Sequence, residues 1–145
     1  MTVQTGQCMC GAVTIAAAFS DDLLTACNCD MCRRWTSAAF MSVRVDQNSI
    51  VIDGPARRFQ SSEWAERGFC DTCGSNLWYR ITAEGPGHGQ YNFAAGLFNT
   101  GDMKIGREFF VDTKPQGYRF AGDHSRLTEA ETYALFAPNE EGETQ

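Results

Sequence analysis

The chain has 145 residues, of which 43% are hydrophobic and 21% are charged, and this composition is ordinary for a soluble globular protein. The formal net charge of −6 argues against a surface that binds nucleic acid. No apolar run approaches the roughly 18 residues of a membrane-spanning helix. We therefore predict a single domain over residues 1–145, with its core at about 6–120, and neither nucleic acid nor a membrane as a partner.

Short strand signals dominate the chain, and Gly, Asp and Ser residues separate them. In chain order, the predicted strands cover residues 12–19, 39–45, 49–52, 57–60, 66–69, 76–81, 90–95 and 108–111. Many short strands with turn residues between them are typical of a sandwich or a folded-over sheet. We predict a mainly β fold of short antiparallel strands with few short helices.

Helix signals occur at two places only. Residues 30–36 follow a group of cysteines and form a candidate helical turn that carries Cys32 and Arg33. Thr128 is followed three residues later by Glu131, which is the pattern of a capping box. This pattern predicts a helix from residue 128 to about Leu135 that Pro138 stops. The acidic tail to residue 145 is expected to fray.

The cysteines predict metal binding rather than disulfides. The first six residues lack the basic and apolar regions of a secretory signal, so we expect a cytoplasmic protein whose thiols are reduced. Seven cysteines would leave at least one thiol unpaired, and a Cys-x-Cys pair is too cramped to bridge itself. All seven lie in three groups: Cys8 and Cys10; Cys27, Cys29 and Cys32; and Cys70 and Cys73.

The two outer groups predict one closed, tetrahedral zinc site. Cys8 and Cys10 are expected on one face of an extended segment, because strand side chains alternate. Cys70 and Cys73 with Gly74 form a zinc knuckle, in which the glycine permits a tight turn and N–H groups can donate to the thiolates. A shared ion would tie two segments about 60 residues apart and would contribute directly to folding.

The middle group predicts an open metal site. Cys27, Cys29 and Cys32 lie within six residues, so one local loop can wrap an ion and leave its fourth position to water or substrate. Two alternatives remain open. An iron–sulfur cluster is one of them. The other is a closed site whose fourth ligand comes from one of the following residues: His88, His124, Asp30, Cys8 or Cys10.

These cysteine groups and their neighbours resemble those of a known family, the glutathione-dependent formaldehyde-activating enzymes, also called Gfa or centromere-protein-V-like proteins. The matching segments are Gly6–Val13, the cysteine triplet followed by Arg33, Ser61–Ser62, Arg67–Leu77, Ala95–Asn99 and Phe110–Pro115. The resemblance covers roughly residues 6–120 and implies an Mss4-like folded β-sheet. It also implies carbon–sulfur lyase activity, the reversible joining of a thiol, glutathione, to formaldehyde.

The resemblance also implies a role for each cysteine group. A structural zinc is implied at Cys8, Cys10, Cys70 and Cys73. A catalytic zinc is implied at Cys27, Cys29 and Cys32. The chain departs from the family pattern at Asn28, where the family usually has histidine. It departs again near Tyr118, since the family usually has tryptophan after the Lys-Pro pair.

Two arginines follow the last cysteine of the triplet and are candidates for binding a carboxylate of glutathione. Of the two, Arg33 is the candidate for the catalytic site, and Arg34 is expected to cover the surface. Small-molecule thiols and aldehydes are the expected partners, and the oligomeric state is not predicted. An alternative function is a zinc-stabilised binding module without turnover, which the same fold supports.

Overall fold

The fold is mainly β, as predicted. The computed structural model of the chain describes residues 2–136. Within them, strands β1 to β10 span Val3–Gln7, Thr14–Cys27, Phe40–Val45, Val51–Asp53, Ala56–Gln60, Ala65–Cys70, Asn76–Ile81, Tyr91–Ala94, Lys104–Phe109 and Ser125–Arg126. Helices α1 and α2 span Asp30–Thr36 and Glu129–Phe136. Two 3-10 turns, Gln47–Ser49 and Ala95–Leu97, complete the regular elements of this part of the chain.

The described residues form two compact units. One unit contains residues 2–22 and 42–103, and the other contains residues 23–41 and 104–136. Each unit holds one of the two cysteine clusters. The single domain that chain length favours stays a prediction.

The first unit is a layer of antiparallel strands. The chain runs β5–β6–β7–β8 as a meander, and β8 pairs with β3. On the other side of β3, the first half of β2 pairs with both β1 and β4. Buried side chains of these strands form its core: Ile15, Val43, Leu77, Trp78 and Phe93. Gly68 faces Trp78 across the β6–β7 ladder, and a Cβ there would lie 2.2 Å from the indole ring, so only glycine fits.

The second unit contains parallel pairings that local sequence patterns do not predict. The second half of β2, from Leu23 to Cys27, pairs in parallel with β9, and β9 pairs in parallel with β10. Helix α1 begins three residues after β2 ends. Parallel partners need a long connection between them, and here residues 28–103 supply it. The sheet is therefore mixed rather than wholly antiparallel.

Strand bounds differ from the prediction at β2 and β9. The predicted strand ends at residue 19, before Ser20, Asp21 and Asp22, yet β2 continues through them to Cys27. Asp21 is accommodated because its carboxylate accepts a hydrogen bond from Arg44 on β3. The last long strand was expected at 108–111 but ends at Phe109, since Phe110 has a positive φ of 59° that breaks the extended run. The strands β1 and β10 were not predicted.

Both predicted helices are present. Helix α1 has the predicted bounds, residues 30–36. At α2, the Glu131 N–H donates to Thr128 Oγ1 (3.1 Å) and the Thr128 N–H donates to Glu131 Oε1 (2.9 Å), which confirms the capping box. The predicted stop at Pro138 and the predicted fraying of the tail lie outside the described residues. Helices of seven and eight residues are too short to cross a bilayer, and no helix within residues 2–136 could do so.

Candidate metal centres

The four cysteines of the outer groups converge in the first unit. Their sulfur atoms all lie within 4.8 Å of one another. The Sγ atoms of Cys8 and Cys10 are 3.6 Å apart, and those of Cys10 and Cys70 are 3.9 Å apart. A tetrahedral zinc with Zn–S bonds of about 2.3 Å requires sulfur pairs about 3.8 Å apart. The donor set therefore fits a single zinc ion, and sulfurs this close do not leave room for a cluster of several irons.

A turn, not an extended segment, brings Cys8 and Cys10 together. The expectation of two thiols on one face of a strand is wrong, because β1 ends at Gln7 and residues 9–10 form a turn. The Gly11 N–H donates to the Cys8 carbonyl (3.1 Å), which closes that turn. The Val13 N–H donates to Cys8 Sγ (3.3 Å) and lowers the pKa of that thiol. The backbone thus favours the thiolate form that a metal needs.

The knuckle at Cys70–Gly74 has the predicted form. The Gly74 N–H donates to the Cys70 carbonyl (2.9 Å), and Gly74 has a φ of 77° that suits glycine. Ser75, which the sequence reasoning missed, joins the two loops of the site. Its Oγ accepts from the Met9 N–H (2.9 Å) and lies 3.2 Å from Cys73 Sγ. The Ser75 hydroxyl and N–H lower the pKa of Cys73 to about 5.

The three cysteines of the middle group converge in the second unit. Cys27 is the last residue of β2, Cys29 is the N-cap of α1, and Cys32 lies in the first turn of that helix. Their sulfurs lie within 4.8 Å of one another, and Cys29 Sγ accepts from the Cys32 N–H (3.4 Å). No fourth ligand atom from a His, Cys, Asp or Glu among residues 2–136 joins this cluster.

The electrostatics of the triplet favour a cation. The Cys29 and Cys32 thiols, together with burial, raise the pKa of Cys27 far above its usual range. The largest cause is hydrogen bonding with Cys29 and Cys32, and burial and charge repulsion from the same two thiols add to it, so three thiolates here would need a compensating positive charge. A divalent ion would supply that charge, and ions that prefer tetrahedral thiolate sites are the best match.

Asn28, in the middle of the triplet, is completely buried. Its Nδ2 donates to Glu108 Oε2 (3.1 Å) and to the Phe109 carbonyl (3.0 Å). Its Oδ1 accepts from the hydroxyl of Tyr118 (2.8 Å). The two departures from the family pattern, Asn28 and Tyr118, therefore meet in one hydrogen bond. This pairing could not be found from sequence, because 90 residues separate them.

Glu108 is a buried carboxylate that the sequence reasoning did not single out. Its Oε1 accepts from His124 Nε2 (2.8 Å) and lies 3.6 Å from Arg126 Nε. His124 was considered as a loop residue or a fourth metal ligand. The structure instead buries its side chain against Glu108, where its Nε2 is occupied by that hydrogen bond. Glu108 lies within the predicted strand 108–111, and no sequence pattern there indicated that its carboxylate would be buried beside the triplet.

A pocket of about 330 Å³ lies at α1 and is lined by Asp30, Arg33, Arg34, Ser37 and Pro115. Arg33 is held in place on its wall. Its Nε donates to the Asn28 carbonyl (2.9 Å), and its Nη2 pairs with the Asp30 carboxylate. Arg34 is exposed and forms no ion pair with the described residues. Of the two arginines, Arg34 is therefore the one whose guanidinium is available to bind an anion.

Two comparisons with known proteins agree with this geometry. The family model for the glutathione-dependent formaldehyde-activating enzyme matches residues 3–113. A protein of Schizosaccharomyces pombe, named only as an uncharacterized lyase, is 32% identical over 125 residues, which cover 85% of this chain and 89% of the relative. The chain therefore belongs to the family of glutathione-dependent formaldehyde-activating enzymes. The two cysteine clusters of this chain could each bind a metal ion.

Proposed function

We propose that this protein is a zinc-dependent carbon–sulfur lyase that joins a thiol, glutathione in the first instance, reversibly to formaldehyde. The observation that carries the proposal is the triplet of Cys27, Cys29 and Cys32. It offers three donors and has no fourth protein ligand among the described residues. Three protein ligands with an exchangeable fourth position are the pattern of catalytic zinc, whereas four ligands are the pattern of structural zinc. Family membership and the lyase-named relative support the same reaction class.

The reaction needs no oxidant. The sulfur of the thiol forms a bond to the carbonyl carbon, the carbon–oxygen π bond breaks, and the proton of the thiol ends on the new hydroxyl. The reverse reaction breaks the carbon–sulfur bond, which makes the enzyme a lyase. A zinc ion bound at the triplet would supply a Lewis acid that favours the thiolate of the substrate.

The side chains around the triplet bind and orient rather than exchange protons. Asn28 has no titratable group, so it neither accepts nor releases a proton in the reaction. Burial raises the pKa of Tyr118, so its hydroxyl stays protonated at neutral pH and continues to donate to Asn28. The proton released by the thiol therefore reaches the product hydroxyl through solvent.

Substrate charge is matched by the pocket on α1. Glutathione carries two carboxylates, and a guanidinium can bind a carboxylate through two parallel hydrogen bonds. Arg34 lines the pocket with its guanidinium available, while Arg33 is already bonded to Asn28 and Asp30. We assign anion binding to Arg34. The predicted catalytic residue Arg33 becomes the residue that fixes the pocket wall beside the metal ligands.

Exchange spectroscopy tests the proposal. Glutathione and ¹³C-formaldehyde interconvert slowly with their adduct without a catalyst, and NMR exchange cross-peaks measure the rate at equilibrium. The zinc-loaded protein is expected to raise this exchange rate in proportion to enzyme concentration, because it binds both the thiol and the aldehyde. If protein with two zinc ions leaves the rate unchanged, the lyase proposal fails and a binding module without turnover is favoured.

The Arg34→Ala variant is expected to raise the KM for glutathione roughly 10-fold or more, because a hydrogen bond to a charged group contributes about 1.5–3 kcal/mol. For 2-mercaptoethanol, which has no carboxylate, KM is expected to be unchanged. Steady-state exchange rates at varied thiol concentrations measure both values. Arg58→Ala, which removes an exposed arginine of β5 in the other unit, is the matched control. Equal effects of Arg34→Ala on both thiols would contradict the assignment.

A further inference from the structure

Every polar group of Asn28 has a partner in the second unit. Besides the three side-chain hydrogen bonds, its N–H donates to the Phe109 carbonyl (3.1 Å) and its carbonyl accepts from Arg33 Nε (2.9 Å). Leaving any of these buried groups unpaired in the interior would be costly. The backbone and the side chain of this residue are therefore both fixed.

The orientation of the Asn28 amide is also fixed. Glu108 as a carboxylate and the Phe109 carbonyl can only accept hydrogen bonds, so both must face the NH₂ end of the amide. The carbonyl end then faces the Tyr118 hydroxyl, which donates to it. Turning the amide over would place oxygen against oxygen at two contacts. One arrangement of donors and acceptors thus satisfies all three partners.

Glu108 is itself held from its other side. His124 Nε2 donates to Oε1 at 2.8 Å, and the Arg126 guanidinium lies beside the same oxygen. The side chains of Glu108 and His124 are 3% and 2% exposed, so neither can move into solvent without opening this part of the unit. The anchor of Asn28 is consequently rigid.

We propose that Asn28 is a positioning residue, which holds Cys27 and Cys29 in the arrangement that binds the metal ion. The inference rests on the proposed metal at the triplet. The two cysteines are its immediate neighbours in the chain, so a fixed residue between them limits how far their sulfurs can separate. Partners that hydrogen-bond to metal ligands typically change metal affinity 10–100-fold when they are replaced, and we expect the same range for Asn28, which acts through the backbone between two ligands.

The test exchanges donor and acceptor between Asn28 and Glu108. The Asn28→Asp variant places a carboxylate oxygen against the carboxylate of Glu108. The Glu108→Gln variant places its new NH₂ group against the NH₂ group of Asn28, because the amide oxygen of the new glutamine must still face His124. Each single variant is expected to weaken zinc binding at the triplet roughly 10–100-fold. The double variant Asn28→Asp/Glu108→Gln restores a donor–acceptor pair with reversed polarity, so it is expected to recover at least part of the lost affinity.

Two readouts separate positioning from general destabilisation. Zinc-loaded full-length protein is titrated with a series of chelators of increasing strength, which gives the affinity of each of the two sites. Cobalt(II) is then added to the triplet site once the chelator has emptied it, and its visible bands report how close the ligands are to a tetrahedron. Single variants are expected to alter the bands, and the double variant to return them toward those of the wild type.

Control variants keep the outcomes distinct. Asn99→Asp adds the same charge at an exposed site in the other unit and is expected to change neither site. If Asn28→Asp fails to fold, the Tyr118→Phe variant tests the inference instead. The zinc affinity of the triplet is then expected to fall about two- to tenfold, because one hydrogen bond to Asn28 is lost. Wild-type protein with one bound zinc would overturn the proposed function together with this inference. Two bound ions with unchanged affinity in the variants would overturn the inference alone.

Discussion

Replacing Cys29 by serine is expected to remove one of two bound zinc ions and to slow adduct exchange by more than about 100-fold, beyond the range typical of residues that only support a metal ligand. The reason is that the triplet has no spare donor among the described residues, so two remaining thiols cannot hold a tetrahedral ion firmly. The thermal midpoint of the first unit is expected to equal that of the wild type, because the four cysteine sulfurs of that unit are unchanged. Elemental analysis and exchange spectroscopy measure both effects.

A matched control for this variant lies on the same turn. Met31→Ala changes an exposed side chain between Cys29 and Cys32 and is expected to keep both ions and full activity. If Cys29→Ser retained two zinc ions and wild-type exchange rates, the triplet could not be the catalytic centre. Iron in place of zinc in the purified wild-type protein would likewise sink the mechanism.

Replacing Cys70 by serine is expected to have the largest effect on stability. Structural zinc sites in isolated fingers carry apparent binding free energies of about 10–16 kcal/mol at neutral pH, and much of that is folding free energy. The site joins segments 60 residues apart in the chain, so its loss frees the loop at Cys8–Cys10 and the knuckle at Cys70–Gly74 together. We expect loss of cooperative unfolding, or a soluble yield too low to purify.

Thermal unfolding followed by circular dichroism, with zinc content measured on the same sample, checks this expectation. The Cys29→Ser variant is the natural comparison, because it removes the same chemical group from the other cluster. A thermal midpoint of Cys70→Ser within about 2 °C of the wild type would mean that the four-sulfur cluster does not support the fold. The two variants should therefore separate a folding role from a catalytic role.

Much of the candidate site could be predicted because it depends on residue types at short spacings in the sequence. The Cys70–Gly74 knuckle needs only a short turn and a glycine with positive φ, and both are present. The triplet is likewise contained in six residues, and α1 begins where the spacing predicts. The capping box at Thr128 and Glu131 is another local signal that was confirmed.

Other features were mispredicted because distant segments decide them. The predicted strand ends before Asp21, but β2 continues through this residue, which accepts a hydrogen bond from Arg44 on β3. The parallel pairing of β2 with β9 depends on partners about 80 residues apart, and no local pattern reports it. The sequence favoured Arg33 over Arg34 as the site residue, and only the structure shows that Arg33 is bonded to the carbonyl of Asn28 and the Asp30 carboxylate.

The amino-acid sequence by itself determined the two donor sets, the mainly β character and the family. These depend on residue type and short spacing, which act over a few residues regardless of what lies elsewhere. Only the tertiary structure decided what surrounds the donors. Asn28 finds Glu108 and Tyr118 at separations of 80 and 90 residues, because a buried amide must satisfy its hydrogen bonds with whatever the fold places beside it. That partner set distinguishes this candidate metal site from a bare cysteine triplet.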